Sequence, residues 1–394
     1  MQVETRIPTA DGTAAAEIVP RTRFPFLERW PEQYGGPPAP PHEDPQPAHD
    51  GTLNAMDPPR PVTRRQVLAG AGGLGALIPL ALLARDSQPE TAHREETMHW
   101  ADRSRGKPFS KDPSVIFFGD RYLMYFSVPP RRGEDRWGQA IAASADLSNW
   151  TTIAELEPQG EVEAKGLCAG GAIVLGNRVH LFYQTYGSGP RDTICHATSS
   201  DGVTFERSAD NPILRPAGDW TCGRAIDAEV HIVGDELFCY WATRDPQYEV
   251  QMLGVHSAPL ASDLSAGHWK QRCTQSILKP ELPWEGECIE APTICRRGDT
   301  LVMFYAGAYN NEPQQIGVAF SLDGLSWKRM GDQPFLTNGQ DGEWNSSESG
   351  HPGIFVDPRD GATWLFFQGN NDHGKSWYLS RRRIEWDGHI PRLG

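Results

Sequence analysis

Four residues that can exchange protons open the same short sequence phrase at four places in the chain. Asp112, Asp227 and Glu290 carry carboxylates and His351 carries an imidazole, and each is followed by a β-rich run and a turn of glycine and aspartate. A fifth copy of the phrase opens at Ala169. Carboxylates that are held together raise one another's pKa values, so one can keep a proton while another stays ionised. These residue types therefore support general acid–base chemistry if the fold gathers them.

The elements that would gather them repeat along the chain. Each phrase is a run rich in Val, Ile and Phe, a tight turn and a second run ending in aromatics, which is a strong hairpin signal. The turns contain Gly119, Gly176, Gly234, Gly298 and Gly361, at spacings of 57, 58, 64 and 63 residues. A regular period of hairpin units predicts an all-β fold, a five-bladed β-propeller, over residues 98–394.

In a propeller, the first strand of each blade lines a central channel, and all the inner strands run in the same direction. The residues that open the five phrases should therefore meet at one mouth of the channel, however far apart they lie in the sequence. Singly, each acid could be an ordinary residue capping a loop at a strand start. Jointly, three converging like charges carry a cost that a purely structural site has no reason to bear.

A second motif, Ser-x-Asp followed by Trp or Phe, comes after three of the hairpins, at Ser144–Trp150, Ser199–Phe205 and Ser321–Trp327. We expect it to supply the outer strands of the blades. The aspartates should be structural, because Asp bonds its own backbone in turns.

Composition limits the class of partner. The net charge of -14 disfavours nucleic acid and anionic membrane surfaces, which recruit basic patches. The seven cysteines form no C-x-x-C pair, so no zinc or thioredoxin-type site is indicated, and their pairing stays open. Cys239 and Cys295 lie in strand-like runs and are expected to be buried free thiols. We expect a monomer with a neutral or polar partner.

The first 97 residues differ from the rest. Residues 1–60 hold 12 of the 33 prolines and are predicted to be disordered. Residues 61–97 contain Arg64-Arg65 and a glycine-diluted apolar run, which resemble a twin-arginine export signal, with a single membrane span as the alternative. Met56 stands where such a signal would begin, so residues 1–55 are interpreted as an over-extended gene start. The protein is expected to be exported, with no membrane span once the signal is removed.

Three carboxylates around one pocket suit the cleavage of a glycosidic bond. One stays ionised to activate water or attack carbon, one holds a proton for the leaving oxygen, and a third tunes the second. The segments Lys111–Val115, Ile226–Val230 and Ile289–Thr293 resemble the three catalytic boxes of glycoside hydrolase family 43, which is related to families 32, 62, 68 and 117. The resemblance covers Ser110 to about Trp386. It implies a five-bladed propeller that acts with inversion, mainly on arabinose- and xylose-containing polysaccharides.

Carried over to this chain, the resemblance makes Asp112 the general base, Glu290 the general acid and Asp227 the residue that raises the pKa of the acid. His351 resembles the channel histidine that, in some members, holds a calcium or other ion together with waters. The alternative is a histidine that serves only as a hydrogen-bonding partner. No cofactor is required by this interpretation, and carbohydrate is the expected partner.

The loops that leave the second strand of each hairpin should form a sugar-binding rim. Their aromatic, amide and guanidinium groups suit ring stacking and hydroxyl recognition. Ordinary turn residues are the alternative for each position. The predicted substrate-binding residues are Arg131, Tyr186, Arg244, Tyr309, Asn310 and Asn370, with Asn311 and Asn371 beside them.

Two departures keep alternatives open. The second repeat has Cys168-Ala169-Gly170-Gly171 where the family often has Trp-Ala-Pro, so one wall of the pocket should be reshaped. Arg244-Asp245-Pro246 and Glu287-Cys288 echo boxes of the retaining family 32 enzymes that act on fructans and sucrose. In that alternative Asp112 is the nucleophile, Asp245 the stabiliser, and Glu287 or Glu290 the acid. A non-catalytic propeller that binds glycans is the third alternative.

Overall fold

The computed structural model describes residues 98–394, and these residues form five four-stranded antiparallel sheets. Within each sheet the strands follow one another in chain order. The strands are β1 Lys111–Phe118, β2 Arg121–Val128, β3 Gly138–Ser144 and β4 Thr151–Leu156 in blade 1; β5 Leu167–Leu175, β6 Arg178–Thr185, β7 Ile194–Ser199 and β8 Glu206–Arg207 in blade 2; β9 Ile226–Val233, β10 Glu236–Arg244, β11 Gln251–Pro259 and β12 Lys270–Gln271 in blade 3; β13 Ile289–Arg297, β14 Thr300–Gly307, β15 Gln315–Ser321 and β16 Lys328–Arg329 in blade 4; β17 Glu348–Val356, β18 Thr363–Asn370, β19 Tyr378–Asp387 and β20 Ile390–Leu393 in blade 5.

The five sheets are arranged in a ring. Each inner strand contacts the inner strand of the next blade, in the order β1, β5, β9, β13 and β17, and β17 in turn contacts β1. The segment ahead of β1 crosses to blade 5, where Trp100 forms a bridge with Leu379 of β19 and Phe109 forms one with Trp377, just before β19. The predicted five-bladed propeller is confirmed. The predicted disordered segment, export signal and gene start all lie outside the described residues.

The hairpin turns form where the sequence predicts them. The five turn glycines have φ between 59° and 75°, a left-handed backbone that glycine adopts without the steric cost of a Cβ. The two strands on either side of each turn pair closely, as Phe118 with Arg121 in blade 1 and Leu175 with Arg178 in blade 2. Tight turns of this kind fix the register, and the register decides which side chains face the channel.

Apolar side chains fill the spaces between neighbouring blades. Ile116 and Leu123 of blade 1 pack with Leu181 of blade 2, and Tyr240 of blade 3 packs with Met303 of blade 4. The second strand of each blade is almost completely buried. Each large apolar side chain buried in this way stabilises the fold by about 1.5–3 kcal/mol, so every blade depends on its neighbours.

The outer turns have the structural role that the sequence predicts. The carboxylates of Asp146, Asp201 and Asp323 each accept two backbone N–H groups within two or three residues. These bonds hold the pKa of Asp146 and of Asp201 well below the usual range. All seven cysteines are free, and Cys239 and Cys295 are buried as predicted. No helix within residues 98–394 has the length and apolarity needed to span a membrane.

Candidate active site

The inner strand of every blade carries a bulge at the same level. Two residues of the inner strand lie opposite one residue of the second strand, and the first of the two has a positive φ. These residues are Asp112 (56°), Ala169 (43°), Asp227 (54°), Ala291 (48°) and His351 (46°). None is a glycine, so each costs about 1–3 kcal/mol of backbone strain. A strained bulge repeated five times around a channel marks a site that the rest of the fold supports.

The strained peptides are held by polar side chains of the preceding blade. Gln184 Oε1 accepts the N–H of Asp227 at 2.7 Å, and Gln368 Oε1 accepts the N–H of Asp112 at 3.1 Å. Similarly, Gln314 Oε1 accepts the N–H of His351 at 3.1 Å, and Ser127 Oγ accepts the N–H of Ala169 at 2.9 Å. The sequence reasoning did not identify this set of supporting residues. Its signal was the polar residue that ends three of the apolar second strands, at Ser127, Gln184 and Gln368.

The structure brings Asp112, Asp227, Glu290 and His351 together at one mouth of the channel. The His351 ring lies between the acids, with Nδ1 3.2 Å from Asp112 Oδ1 and Nε2 3.8 Å from one oxygen each of Asp227 and Glu290. Asp227, Glu290 and His351 are buried, and the side chain of Asp112 is 11% exposed. The convergence that the repeats predict is therefore present in the described chain.

The charges of this cluster shift the pKa values of its members. Burial raises the pKa of Asp227 to about 7, with Glu290 and Asp112 adding to the rise and His351 opposing it. Burial alone would lower the pKa of His351, but the three carboxylates around the ring raise it above its ordinary value. The cluster therefore holds protons near neutral pH, which a general acid requires.

Glu290 differs from the other acids in register and in support. It lies one residue before the bulge residue Ala291, in the position that Lys111 occupies in blade 1. Gln251 Nε2 and Gln314 Nε2 each donate a hydrogen bond to one of its oxygens, the latter at 2.7 Å. Both amide groups have a second hydrogen bond. Gln251 Oε1 accepts from Arg244 Nε at 3.2 Å, and Gln314 Nε2 also donates to Ala308 O. Glu290 is thus clamped in one position.

A cavity of about 70 Å³ continues from the acids into the channel. Ala169, Gly170 and Gly171 line its blade 2 side, so the wall that the sequence predicts to be reshaped is built of small residues. Glu229 lines the cavity two residues further along β9, and burial raises its pKa to about 8. Glu229 accepts bonds from Thr293 Oγ1 and Ile294 N, so its role is to join blades.

Three of the predicted substrate-binding residues form one group at the mouth. The Arg244 guanidinium lies 4.4 Å from the Tyr248 ring centroid and 4.9 Å from that of Tyr309. The charge of Glu290 contributes to raising the pKa of Tyr309, and that of Asp112 to raising the pKa of Tyr186, after the larger effect of burial. Tyr186, Arg244 and Tyr309 therefore lie close to the acids.

The other three rim residues have contacts within the protein. Arg131 forms ion pairs with Glu155 and Glu157 on the outer side of blade 1. Asn310 Oδ1 accepts from Gln368 Nε2 at 3.0 Å. Asn370 is fully buried, and its Oδ1 accepts backbone N–H groups of its own loop. Contact of these residues with a substrate stays a prediction.

The two residues that only the retaining alternative uses, Asp245 and Glu287, have their contacts outside this cluster. Asp245 Oδ1 accepts the N–H groups of Glu249 and Val250, so its carboxylate closes a turn. Glu287 is exposed. Glu290, the other candidate acid of that alternative, is the residue that joins Asp112 and Asp227 around His351.

The cluster also fits a bound cation. One ligand atom each from Asp227, Glu290 and His351 lie within 4.8 Å of one another. Asp112 Oδ1 and Asp227 Oδ2 are buried and accept no hydrogen bond from the described residues. Carboxylate oxygens that lack hydrogen bonds in a buried site can be satisfied by a hard divalent cation and its waters.

Known protein families and solved structures resemble this chain. Residues 106–390 match the family described as Glycosyl hydrolases family 43. Among solved structures, a thermostable family-43 glycoside hydrolase aligns with a TM-score of 0.58 at 18% identity, covering 72% of this chain and 92% of that one. An alpha-L-arabinofuranosidase from Lactobacillus brevis aligns with a TM-score of 0.56 at 15% identity, covering 72% and 94%.

A Bombyx mori GH32 beta-fructofuranosidase aligns with a TM-score of 0.58 at 16% identity, covering 76% of this chain and 64% of that one. Similarity at these identities shows a shared fold, whereas the family match spans nearly the whole propeller. The chain belongs to glycoside hydrolase family 43 and is a glycosidase.

Proposed function

We propose that this glycosidase cleaves arabinose- or xylose-containing oligo- and polysaccharides with inversion, using Asp112 as general base and Glu290 as general acid. One observation carries the mechanism: the His351 ring separates Asp112 on Nδ1 from Asp227 and Glu290 on Nε2. Inversion requires two carboxyl groups far enough apart to admit a water, about 6.5–9.5 Å. An imidazole between the acids supports that wider spacing.

In the proposed reaction, Glu290 donates its proton to the glycosidic oxygen as the bond from that oxygen to the anomeric carbon breaks. Asp112 takes a proton from the water that attacks the opposite face of the sugar. Because the pKa of Asp227 is raised to about 7, a proton is retained beside Glu290 close to neutral pH. Asp227 thus keeps a proton available next to Glu290, and Gln251 and Gln314 hold the Glu290 carboxyl in place.

A divalent cation, if it is bound, would be held by Asp227, Glu290 and His351. It would supply positive charge that offsets the crowded carboxylates. Without a cation, protonation of His351 would supply charge of the same sign, since the three acids raise its pKa against the effect of burial.

The proposed substrate class rests on the family and on the rim. The similar solved structures include proteins named as an arabinofuranosidase, an exo-1,5-alpha-L-arabinanase and an endo-1,4-beta-xylanase. Tyr186 and Tyr309 present half-buried aromatic rings close to the acids, and such rings stack on sugar faces. The small residues of blade 2 leave room on one side for a branch or a larger ring.

Export by a twin-arginine signal and a monomeric state are also proposed. Both rest on the sequence, the first on Arg64-Arg65 ahead of the apolar run. N-terminal sequencing of the protein recovered from outside the cytoplasm would test export, and light scattering would test the monomer.

The function is tested with aryl arabinofuranosides, xylosides, galactosides and fructosides. We expect hydrolysis of a pentoside, and NMR of the first sugar released should show the inverted anomer. Retention of configuration, or cleavage of the fructoside alone, would contradict the proposal and support the family 32-like alternative. The Asp112→Asn variant is the control for contaminating glycosidases.

A further inference from the structure

Two blades carry a buried charge three residues before the bulge. Arg224 precedes Asp227 in blade 3, and Glu348 precedes His351 in blade 5. Glu348 is satisfied inside the protein, since Oε1 accepts from Gln368 Nε2 at 2.8 Å and Oε2 accepts from the N–H of Asn311. Its role is to hold the loop after β14 against blade 5. Arg224 occupies the same level without comparable partners.

Arg224 is buried and makes no hydrogen bond to any residue in 98–394. Its side chain is 8% exposed, and Nε is completely enclosed. The nearest carboxylate oxygen is Asp192 Oδ2, 3.7 Å from an Nη atom, which is too far for a hydrogen bond. A guanidinium has five N–H donors and cannot lose its charge in a protein. The Nε donor is enclosed and unpaired, and the Nη donors have no acceptor within hydrogen-bond distance in residues 98–394, which is costly in a buried position unless a ligand supplies acceptors.

Burial lowers the pKa of Arg224, but Tyr248, Asp192, Tyr186 and Asp227 raise it by more, so the guanidinium stays charged. The nearest acid is Asp192, whose pKa is raised by burial and whose other oxygen, Oδ1, accepts the N–H of Ser188. The Tyr248 ring lies 5.8 Å from Arg224 and 4.4 Å from Arg244, so two guanidinium groups flank one aromatic ring. This side of the mouth is therefore cationic and aromatic.

Arg224 also lies close to the reacting centre. It is three residues from Asp227 in the segment that leads into β9, and its charge opposes the rise in the pKa of Asp227. A sugar held against Asp227 and Glu290 would thus have a substituent on the side of Arg224 and the half-buried ring of Tyr248.

We propose that Arg224 is a specificity-determining residue that binds the carboxylate of an acidic sugar, a hexuronate unit of the substrate. The inference rests on the proposed function and narrows its substrate class. A guanidinium edge presents two parallel N–H donors, and a carboxylate presents two oxygens at matching separation. A vicinal diol of a neutral sugar also offers two oxygens but does not neutralise the charge, so the carboxylate is the better match.

The test measures binding separately from hydrolysis, in the full-length Glu290→Gln protein. Galacturonate is compared with galactose and glucuronate with glucose by NMR titration, because each pair differs only at the carbon that bears the carboxylate. We expect one uronate to bind at least about tenfold more tightly than its neutral partner, as a charge-assisted hydrogen-bonded contact should. The Arg224→Met substitution should reduce that preference to less than about twofold.

Arg178→Met is the matched control, since Arg178 forms only an exposed ion pair with Glu206 and a bond to Thr198 in blade 2. It should leave the preference unchanged. If Arg224→Met does not fold, Arg224→Lys replaces it. The lysine keeps a charge but loses the planar fork, and the preference should fall by several fold.

Equal binding of uronate and neutral sugar, no saturable uronate binding, or a preference that survives loss of Arg224 would overturn the proposal. The aryl pentoside assay distinguishes this failure from failure of the proposed function. Pentoside hydrolysis that is unchanged by Arg224→Met, without uronate binding, removes only the role of Arg224. Uronate binding that depends on Arg224, in a protein that hydrolyses no glycoside, supports that role and removes only the proposed reaction.

Discussion

The two levels of the channel use their polar groups in opposite ways. At the mouth, Asp227 Oδ2 is buried and accepts no hydrogen bond from residues 98–394, and Asp112 Oδ1 has the ion pair with His351 Nδ1 but no hydrogen bond. Two residues deeper, Ser114, Glu229 and Thr293 accept the backbone N–H groups of Ala172, Ile294 and Ile354 in the next blade. The oxygens at the mouth remain able to bind a proton, a water or an ion. The oxygens at the deeper level accept hydrogen bonds that join neighbouring blades. Unsatisfied buried groups mark the chemistry here, and satisfied ones mark the architecture.

The deeper level also explains two glycines. A Cβ on Gly353 would lie 2.1 Å from Pro113 O, and a Cβ on Gly171 would lie 2.3 Å from Ala228 O. Where the deeper residue has no side chain, the neighbouring backbone occupies the space directly. All five deeper residues therefore serve contact between blades, by a side chain in three and by close approach in two.

The largest expected effect comes from the mouth. Asp112→Asn and Glu290→Gln should each lower kcat by at least about 10³-fold, because general base and general acid would be lost. Steady-state kinetics on the pentoside identified above would measure it, with thermal unfolding as the test of the fold. Turnover within tenfold of wild type in either variant would contradict the assigned roles.

The next effect should be a loss of stability caused by a substitution at the deeper level of the channel. Gly353→Ala should lower the free energy of unfolding by about 2–3 kcal/mol, since the added methyl meets backbone that cannot move aside. Denaturant unfolding would measure it. The control is Gly267→Ala, where no atom lies within 4 Å of the added Cβ. Equal stability of the two variants would remove the distinction between the levels.

A smaller effect should separate positioning from chemistry. Gln314→Leu removes one of the two donors to Glu290 and the acceptor of the His351 N–H. We expect kcat to fall about 10- to 100-fold with a shifted pH profile, as the acid loses its fixed orientation. A rise in KM alone, with kcat and the pH profile unchanged, would show that Gln314 acts only on binding.

The last effect concerns the dependence of stability on pH. The pKa of Glu229 is raised to about 8, so the folded state favours the protonated carboxyl. Its contribution to stability is complete below the unfolded pKa of about 4.3 and is lost as the pH rises through about 8. Glu229→Gln should remove a decrease of about 3–4 kcal/mol in unfolding free energy between pH 5 and pH 8. A variant with the wild-type slope would show that other groups cause it.

The sequence predicts the parts of this molecule that local patterns encode. The turn glycines and the hairpin runs beside them predict the five blades. The acids that recur at the start of the inner runs predict the cluster. The left-handed bulges were not predictable, because alanine at 169 and 291 carries no local signal for a positive φ. Gln251 and Gln314 were missed because they reach Glu290 across 39 and 24 residues of chain. Arg224 was missed because burial without a hydrogen bond is a property of the folded structure alone.

The support of the bulges has a consequence for when activity first arises. The N–H of Asp112, near the start of the propeller, is held by Gln368 of the last blade. A ribosome that has finished four blades has already made Asp112, Asp227 and Glu290, yet the residue that fixes the base has still to be synthesised. The enzyme should therefore stay inactive until its final blade closes the ring, so that hydrolysis begins only in a finished molecule.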